Sequence, residues 1–352
     1  MQVDFLLIGQ GICGTFLSWY LQKAGYTNIV IDEAQPASAS KVAAGIINPV
    51  TGRRMVKTWL IDEVMPFAQN AYMQLEQELN ITAIEQKDVI DFFPTPQMKE
   101  AFAKRYAEDS TWLSLATANE WTTYFRYEFS YGKISPCYLV NLPALLPAYR
   151  KKLESTHSLM EEKFNIDRLK VNAGNISYGD ITASAIIFCD GIASLQNPYF
   201  RNLPFAPNKG EVLWIEINDL PASHIFKRGI SLAPWSQNIF WVGSSYQWEF
   251  EHDQPTDLFR ERTLAALKSW LQVPFSLLDH KASVRPATIE RRPFIGFHPI
   301  HTAVGIFNGM GTKGCSLGPW FASQFTENIR QGTPIHREAD IQRFKRILSQ
   351  SF

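Results

Sequence analysis

The stretch Phe5–Gly25, FLLIGQGICGTFLSWYLQKAG, joins an apolar run, three glycines at GxGxxG spacing and a helix-like segment. A bare glycine pattern says little; its flanks decide. Val3–Ile8 reads as a buried strand, and Gly9, Gly11 and Gly14 follow it at once. Thr15–Ala24 carries helical periodicity through Phe16, Leu17, Tyr20 and Leu21 and stops near Gly25. A second strand, NIVID, closes a βαβ unit and ends in Asp32, with Glu33 next. An acid about 20 residues beyond the glycines stands where a ribose hydroxyl needs an acceptor. In this reading Gly9 turns the chain, Gly11 admits a pyrophosphate, and Gly14 lets helix and strand close together. Ile12 and Cys13 open the helix, whose free N–H groups and partial positive charge face the phosphates. The competing reading is a tight strand–turn–helix that binds nothing. The acid at the ribose position disfavours a 2′-phosphate.

The glycines do not separate a nicotinamide from a flavin. Ala37–Arg54, ASASKVAAGIINPVTGRR, is rich in small residues where a nicotinamide-binding domain continues into another βα unit. Its candidate ligand contacts are Ser40, Lys41, Ala44, Gly45 and Ile47; the alternative is an ordinary connector. The C-terminal third adds AVGIFNGMGTKGCSLGPWFASQFTENI. This reads as a strand (303–307), a turn with Gly309, Gly311, Thr312 and Gly314, and a helix (319–329). Two glycine-rich helix entrances need a ligand long enough to touch both. FAD is such a ligand, with its pyrophosphate on the first helix and its isoalloxazine near the second. Backbone N–H groups and a helix dipole stabilise the negative charge of reduced flavin. Lys313 either adds a formal positive charge there or is a solvated loop lysine.

Six segments carry a resemblance: Gly9–Gly14, SKVAAGIINP, NKGEVL, VGSSYQW, VRPATIERRPFIG and NGMGTKGCSLGP. In that order they resemble the D-amino-acid oxidase family of flavoenzymes, over nearly the whole chain from Met1 to about residue 332. That family includes glycine oxidase, sarcosine oxidase and the oxidase domain of a tRNA wobble-uridine modification enzyme. The resemblance implies FAD in a Rossmann variant of glutathione-reductase type, Gly191 opposite the pyrophosphate, and oxidation of a C–N bond. It also implies that Arg285, which begins the RP motif, holds a substrate carboxylate; the alternative is an arginine bridging two domains. Sarcosine-oxidase-like members attach flavin through a cysteine near that motif. None lies between Lys281 and Ile295, so non-covalent FAD is expected. Tyr246 is a further candidate at the substrate, and Trp241 and Trp248 are candidate cage walls, with packing the alternative for each. Arg53 and Arg54 either bind an acidic substrate tail or are solvated.

The expected fold class is α/β with mixed α+β character: a FAD-binding Rossmann-like domain interleaved with a substrate domain on a mixed, largely antiparallel sheet. Residues 1–80, 139–205 and 286–352 are assigned to the first, 81–138 and 206–285 to the second. Helices are expected over 57–79, 97–109, 139–153 and 257–271, and a strand over 126–131.

Lys plus Arg equals Asp plus Glu, 34 each among 352 residues, which lends no support to a polyanionic partner. Four scattered cysteines without CxxC pairing point to a reducing compartment. Seven histidines show no metal-ligand spacing, so no metal is expected. No stretch approaches the ~18 apolar residues of a membrane span, and the apolar N-terminus lacks a basic region and a cleavage site. The expectation is a cytoplasmic FAD-dependent amine or amino-acid oxidoreductase using O2 or another electron acceptor. A modified tRNA base as substrate, and a flavin-binding protein without turnover, are the alternatives.

Overall fold

The structure, a computed structural model, describes residues 1–52, 54–116, 120–172 and 174–350. Its helices are α1 (Ile12–Lys23), α2 (Ala39–Val42), α3 (Ile61–Leu79), α4 (Pro96–Glu108), α5 (Leu142–Ser155), α6 (Asp257–Trp270), α7 (Gly314–Gln331) and α8 (Lys345–Leu348).

The opening apolar run forms Gln2–Ile8, whose last four residues are all buried, as are all four of Asn28–Ile31. Strands buried on both faces suit a parallel sheet covered by helices. Gln2–Ile8 lies between Asn28–Ile31 and Ile181–Phe188, and all three run parallel. Leu159–Met160 extends the sheet beyond Asn28–Ile31, and Val304–Asn308 extends it beyond Ile181–Phe188, again in parallel. Phe16, Tyr72, Leu145, Tyr149, Phe321 and Phe325, from α1, α3, α5 and α7, pack over Leu7, Val30, Ile187 and Phe307.

Register fixes the place of chemistry. Ile8 sits opposite Ile31 and Phe188, and Phe188 sits opposite Ile306. The segments that follow, beginning with Gly9, Asp32, Cys189 and Gly309, therefore leave one edge of the sheet together. In open parallel sheets, that carboxyl edge is where ligands bind.

A second eight-stranded sheet runs in the order Ser276–Arg285, Asn208–Glu216, Ile239–Gly243, Ile230–Ser236, Ile225–Arg228, Val89–Phe92, Tyr131–Ile134, Leu113–Leu115. Only Ile225–Arg228 and Val89–Phe92 pair in parallel. One face packs on Leu267 and Trp270 of α6. The other contributes Val212, Trp214 and Trp241 to a cluster with Val42, Ala44 and Val50. Two bonds close that seam: Trp241 Nε1 donates to the Val42 carbonyl (2.9 Å) and Ser283 Oγ to the Ala37 carbonyl (2.8 Å). This is the expected mixed α/β class with a largely antiparallel second sheet.

Four expected elements move, one of them the helix expected over 319–329, which spans Gly314–Gln331. The segment 126–131 is not a strand except at its end: Ser130 takes φ +72°, Arg126 N–H bonds the Trp270 carbonyl, and pairing begins at Tyr131. The helix expected from Leu139 starts at Leu142, where the Asn141 side chain accepts the Ala144 N–H. Tyr138–Val140 instead pairs with Ile46–Ile47 and Ile84–Gln86. The helix expected from Lys57 starts at Ile61, because Val56–Lys57 pairs with Val50–Thr51 and Leu60 adopts φ +54°.

Close approach explains Gly14. A Cβ there would overlap the Gly9 carbonyl oxygen. By contrast, a Cβ at Gly318 on α7 meets Ile12 Cγ1 at an ordinary 3.7 Å. Gly14→Ala should therefore destabilise the fold by about 1–3 kcal/mol or more through forced backbone displacement, whereas Gly318→Ala should be neutral or stabilising by up to about 1 kcal/mol. Urea unfolding of both variants checks the contrast.

Candidate functional site

At the first entrance, Gly11 is the N-cap of α1 and supplies no side-chain cap. The Ser40 hydroxyl stands in, accepting the Ile12 N–H at 3.0 Å. A Cβ on Gly11 would meet only that hydroxyl, also at 3.0 Å. The free N–H end of α1 with a bare glycine beside it fits a diphosphate. Gly9 takes φ +99°, as its turning role requires, and a Cβ there would meet the Cys189 carbonyl at 2.7 Å. Cys13, the second residue of α1, has its thiol pushed up to about 12, chiefly by burial and then by Cys315.

Asp32 is more engaged than its sequence position suggests. Its carboxylate accepts the Gln10 and Ala34 N–H groups, each at 2.8 Å, and Arg150 Nη1 at 2.8 Å. Burial works against the Arg150 charge, but Glu161 and Asp32 outweigh it and raise its pKa. Glu33 is exposed. Lys41 donates to the Ala34 and Gln35 carbonyls, and burial lowers its pKa. Gly45 (φ +85°) owes its missing side chain to the Val140 carbonyl, which a Cβ would overlap. Ala44 and Ile47 are buried. The Val140 carbonyl thus gives this segment's glycine a reason in close backbone packing.

Across the edge, Gly191 takes φ +59° with open space on its bare side. Asn308 Nδ2 fixes it by donating to its carbonyl (2.8 Å) and to Ser194 Oγ (2.9 Å). Asp190 is bonded to Ser194 as well, and burial pushes its carboxyl up to about 7, against the pull of Ser194. Arg150, Asp190 and Asn308 were not singled out from sequence, although Asp190 and Asn308 each directly precede a glycine that was.

The second entrance lies against the first. Gly314 opens α7, and a Cβ there would meet Ile12 Cγ2 of α1 at 3.0 Å. Gly309 and Gly311 take φ +81° and +55°; Thr312 is exposed. The two helix N-termini that the sequence places over 300 residues apart are neighbours. Lys313 is not a solvated lysine. Its Nζ stands 3.5 Å from Thr58 Oγ1, and burial pulls it down to about 8, partly opposed by Cys137.

Arg285 ends the strand Ser276–Arg285, and a Cβ on Gly311 would touch Ala287, two residues beyond it, at 3.5 Å. Its guanidinium donates to Asn208 Oδ1 (2.7 Å), Ser244 Oγ (2.6 Å) and the Ser245 carbonyl (3.4 Å). Burial lowers its pKa, with Tyr246 opposing. Among the described residues no ion pair involves it, so a desolvated cation is held by neutral acceptors alone. The guanidinium lies across Gly210, where any Cβ would overlap it; that gives the NKGEVL glycine its reason.

Tyr246 is half exposed, its ring 5.8 Å from the guanidinium, with Trp248 set edge-on at 5.2 Å and similarly exposed. Neither is a core residue. Trp241 is one, buried and bonded to Val42. Arg54 is exposed, and Arg53 lies outside the described residues. Among the described residues, no group of three or more His, Cys, Asp or Glu side chains could hold a metal ion, and no helix is long and apolar enough to cross a membrane.

A family model described as FAD-dependent oxidoreductase (DAO) matches residues 4–328. The chain belongs to that family. It is accordingly an FAD-dependent oxidoreductase, and the α7 entrance without a side-chain cap and the open space beside Gly191 fit the cofactor. The fold is similar to that of glycine oxidase from Geobacillus kaustophilus, with a TM-score of 0.80, 15% identity, and 97% of this chain and 98% of that one covered. It is also similar to iminodiacetate oxidase from Chelativorans sp. BNC1 (0.76, 18%, 96% and 98%) and to L-proline dehydrogenase from P. horikoshii (0.76, 15%, 98% and 98%).

Lys313 gives this oxidoreductase a pH signature. Its folded pKa, about 8, lies below the ordinary 10.5 of an unfolded lysine. Between those values the unfolded chain holds the proton that the folded chain has released, so stability contributed at this position rises with pH. Lys313→Met should lack that rise, and unfolding midpoints of both proteins across the window check it.

Proposed function

We propose that this enzyme oxidises the C–N bond of an amino acid, or of a closely related amine bearing a carboxylate. The observation that carries the reading is Arg285, a desolvated guanidinium with no anionic partner among the described residues. A planar two-point donor suits a carboxylate better than any other common group. Glycine, iminodiacetate and proline, the compounds named for the three similar structures, all carry a carboxylate beside the amine.

Bound FAD supplies the acceptor for the substrate's hydride, at flavin N5. The chain's residues do the rest. Gly9, Gly11 and the N-terminal turn of α1 would hold the diphosphate, and Asp32, oriented by Arg150, would stand at the ribose. Gly191, Gly309, Gly311 and the α7 N-terminus with Lys313 would hold the flavin, and the helix dipole and the ammonium would favour negative charge there. Arg285 would anchor the carboxylate and so fix how the amine is presented, a positional effect. Tyr246 and Trp248 flank the approach to Arg285.

In this assignment residues 1–80, 139–205 and 286–352 hold the cofactor, and 81–138 with 206–285 roof the substrate. FAD is bound without a covalent link. The four free cysteines support a reducing, cytoplasmic setting.

The purified protein should be yellow, and acid precipitation should release all its flavin into the supernatant. Arg285→Ala should keep FAD yet lose kcat/KM for a carboxylated substrate by roughly 30- to 5,000-fold, the equivalent of about 2–5 kcal/mol. Gly210→Ala, which displaces the guanidinium without removing it, should reproduce much of that loss. Flavin reduction by amino acids and by their decarboxylated amines is the measurement; equal losses for both would reassign Arg285 to the fold or the flavin.

A further inference from the structure

We propose that Asn208 makes the site selective for carboxylates by orienting Arg285 without neutralising it. The inference rests on Arg285 as the carboxylate anchor. Asn208 opens the strand Asn208–Glu216 and faces Arg285 directly in the antiparallel register. It is completely buried. Its Oδ1 accepts Arg285 Nη1 at 2.7 Å, while its Nδ2 is buried with no acceptor.

An isosteric aspartate would fill the same volume, accept the same hydrogen bond and leave no donor stranded. A stranded buried donor carries the full desolvation penalty of its group, so asparagine is the less stable choice here. What asparagine preserves is charge. An aspartate at 2.7 Å would form an ion pair with the guanidinium and repel an incoming carboxylate. Ser244 Oγ and the Ser245 carbonyl, the other two acceptors, are neutral too.

The neighbouring acid is kept away from Arg285. Glu211 belongs to the same strand, but side chains alternate, so Glu211 and Lys209 point to the face opposite Asn208 and Gly210. There the completely buried Glu211 carboxylate is engaged by the Thr256 N–H (2.6 Å), Thr256 Oγ1 (2.9 Å) and His280 Nε2 (3.1 Å), with Lys209 Nζ at 3.4 Å. Arg285 therefore meets its ligand with its full positive charge and a fixed fork.

The test uses the FAD-loaded protein and acetate as the probe, with binding followed by flavin absorbance or calorimetry. Wild type should bind best, Asn208→Ala several-fold less well, and Asn208→Asp weaker by on the order of 100-fold. Thermal unfolding should show Asn208→Asp at least as stable as Asn208→Ala. A purely structural Asn208 gives the reverse binding order, because alanine leaves a cavity and aspartate does not. The kcat/KM ratio of glycine to methylamine should fall in the same order as acetate affinity.

If Asn208→Asp does not fold, Ser244→Asp places the carboxylate on Nη2 and should lower acetate affinity likewise. Should Asn208→Asp, or in its place Ser244→Asp, bind acetate like wild type while Arg285→Ala does not bind it, the Asn208 proposal is overturned and the anchor stands. Acetate binding that is absent in wild type, or equal in wild type and Arg285→Ala, removes the anchor and the proposal together.

Discussion

The Gly9 carbonyl occupies the space in which a side chain on Gly14 would begin, and much of the molecule depends on that contact. It sets how closely α1 lies on the strand Gln2–Ile8, and hence where the α1 N-terminus meets the sheet edge. From there Ile12 reaches Gly314, so the position of α1 also fixes that of α7. Had the first helix stood one methyl group farther out, the N-termini of α1 and α7 would no longer be in contact through Ile12 and Gly314.

Two arginines show how charge is allotted around this framework. Arg150, at 15% side-chain exposure, is bonded to Asp32 and Glu161, a closed arrangement that orients an acid at the sheet edge. Arg285 is also largely withdrawn from water, yet meets only an amide, a hydroxyl and a carbonyl. Removing one partner from a buried pair leaves an uncompensated charge, a costly state. Arg285 approaches that state, with neutral acceptors and no ion pair among the described residues.

The parts legible in the sequence were those governed by local stereochemistry. Gly9, Gly191, Gly309 and Gly311 all have positive φ, a property that glycine spacing reports directly. The strand runs were readable because burial on both faces leaves a continuous apolar signature. What escaped was set by partners remote in the chain. Asp32 and Arg150 are 118 residues apart, so nothing near Asp32 announces that its carboxylate is already engaged. Leu139 resembles the start of the helical pattern that follows it, and only pairing with Ile46 and Glu85 makes it a strand residue. The RP motif picked out Arg285, but the neutrality of its surroundings depends on Asn208 and Ser244, 77 and 41 residues away. Tyr246 and Trp248 show the same limit, since their exposure follows from where the strand Ile239–Gly243 ends.

The parallel sheet also has a temporal side. Gln2–Ile8 precedes its neighbour Ile181–Phe188 in the chain, and that strand precedes its own neighbour Val304–Asn308. Between them the chain leaves twice to lay down the other sheet. Domains whose neighbouring strands lie this far apart in the chain expose unpaired strand edges until the distant partners meet.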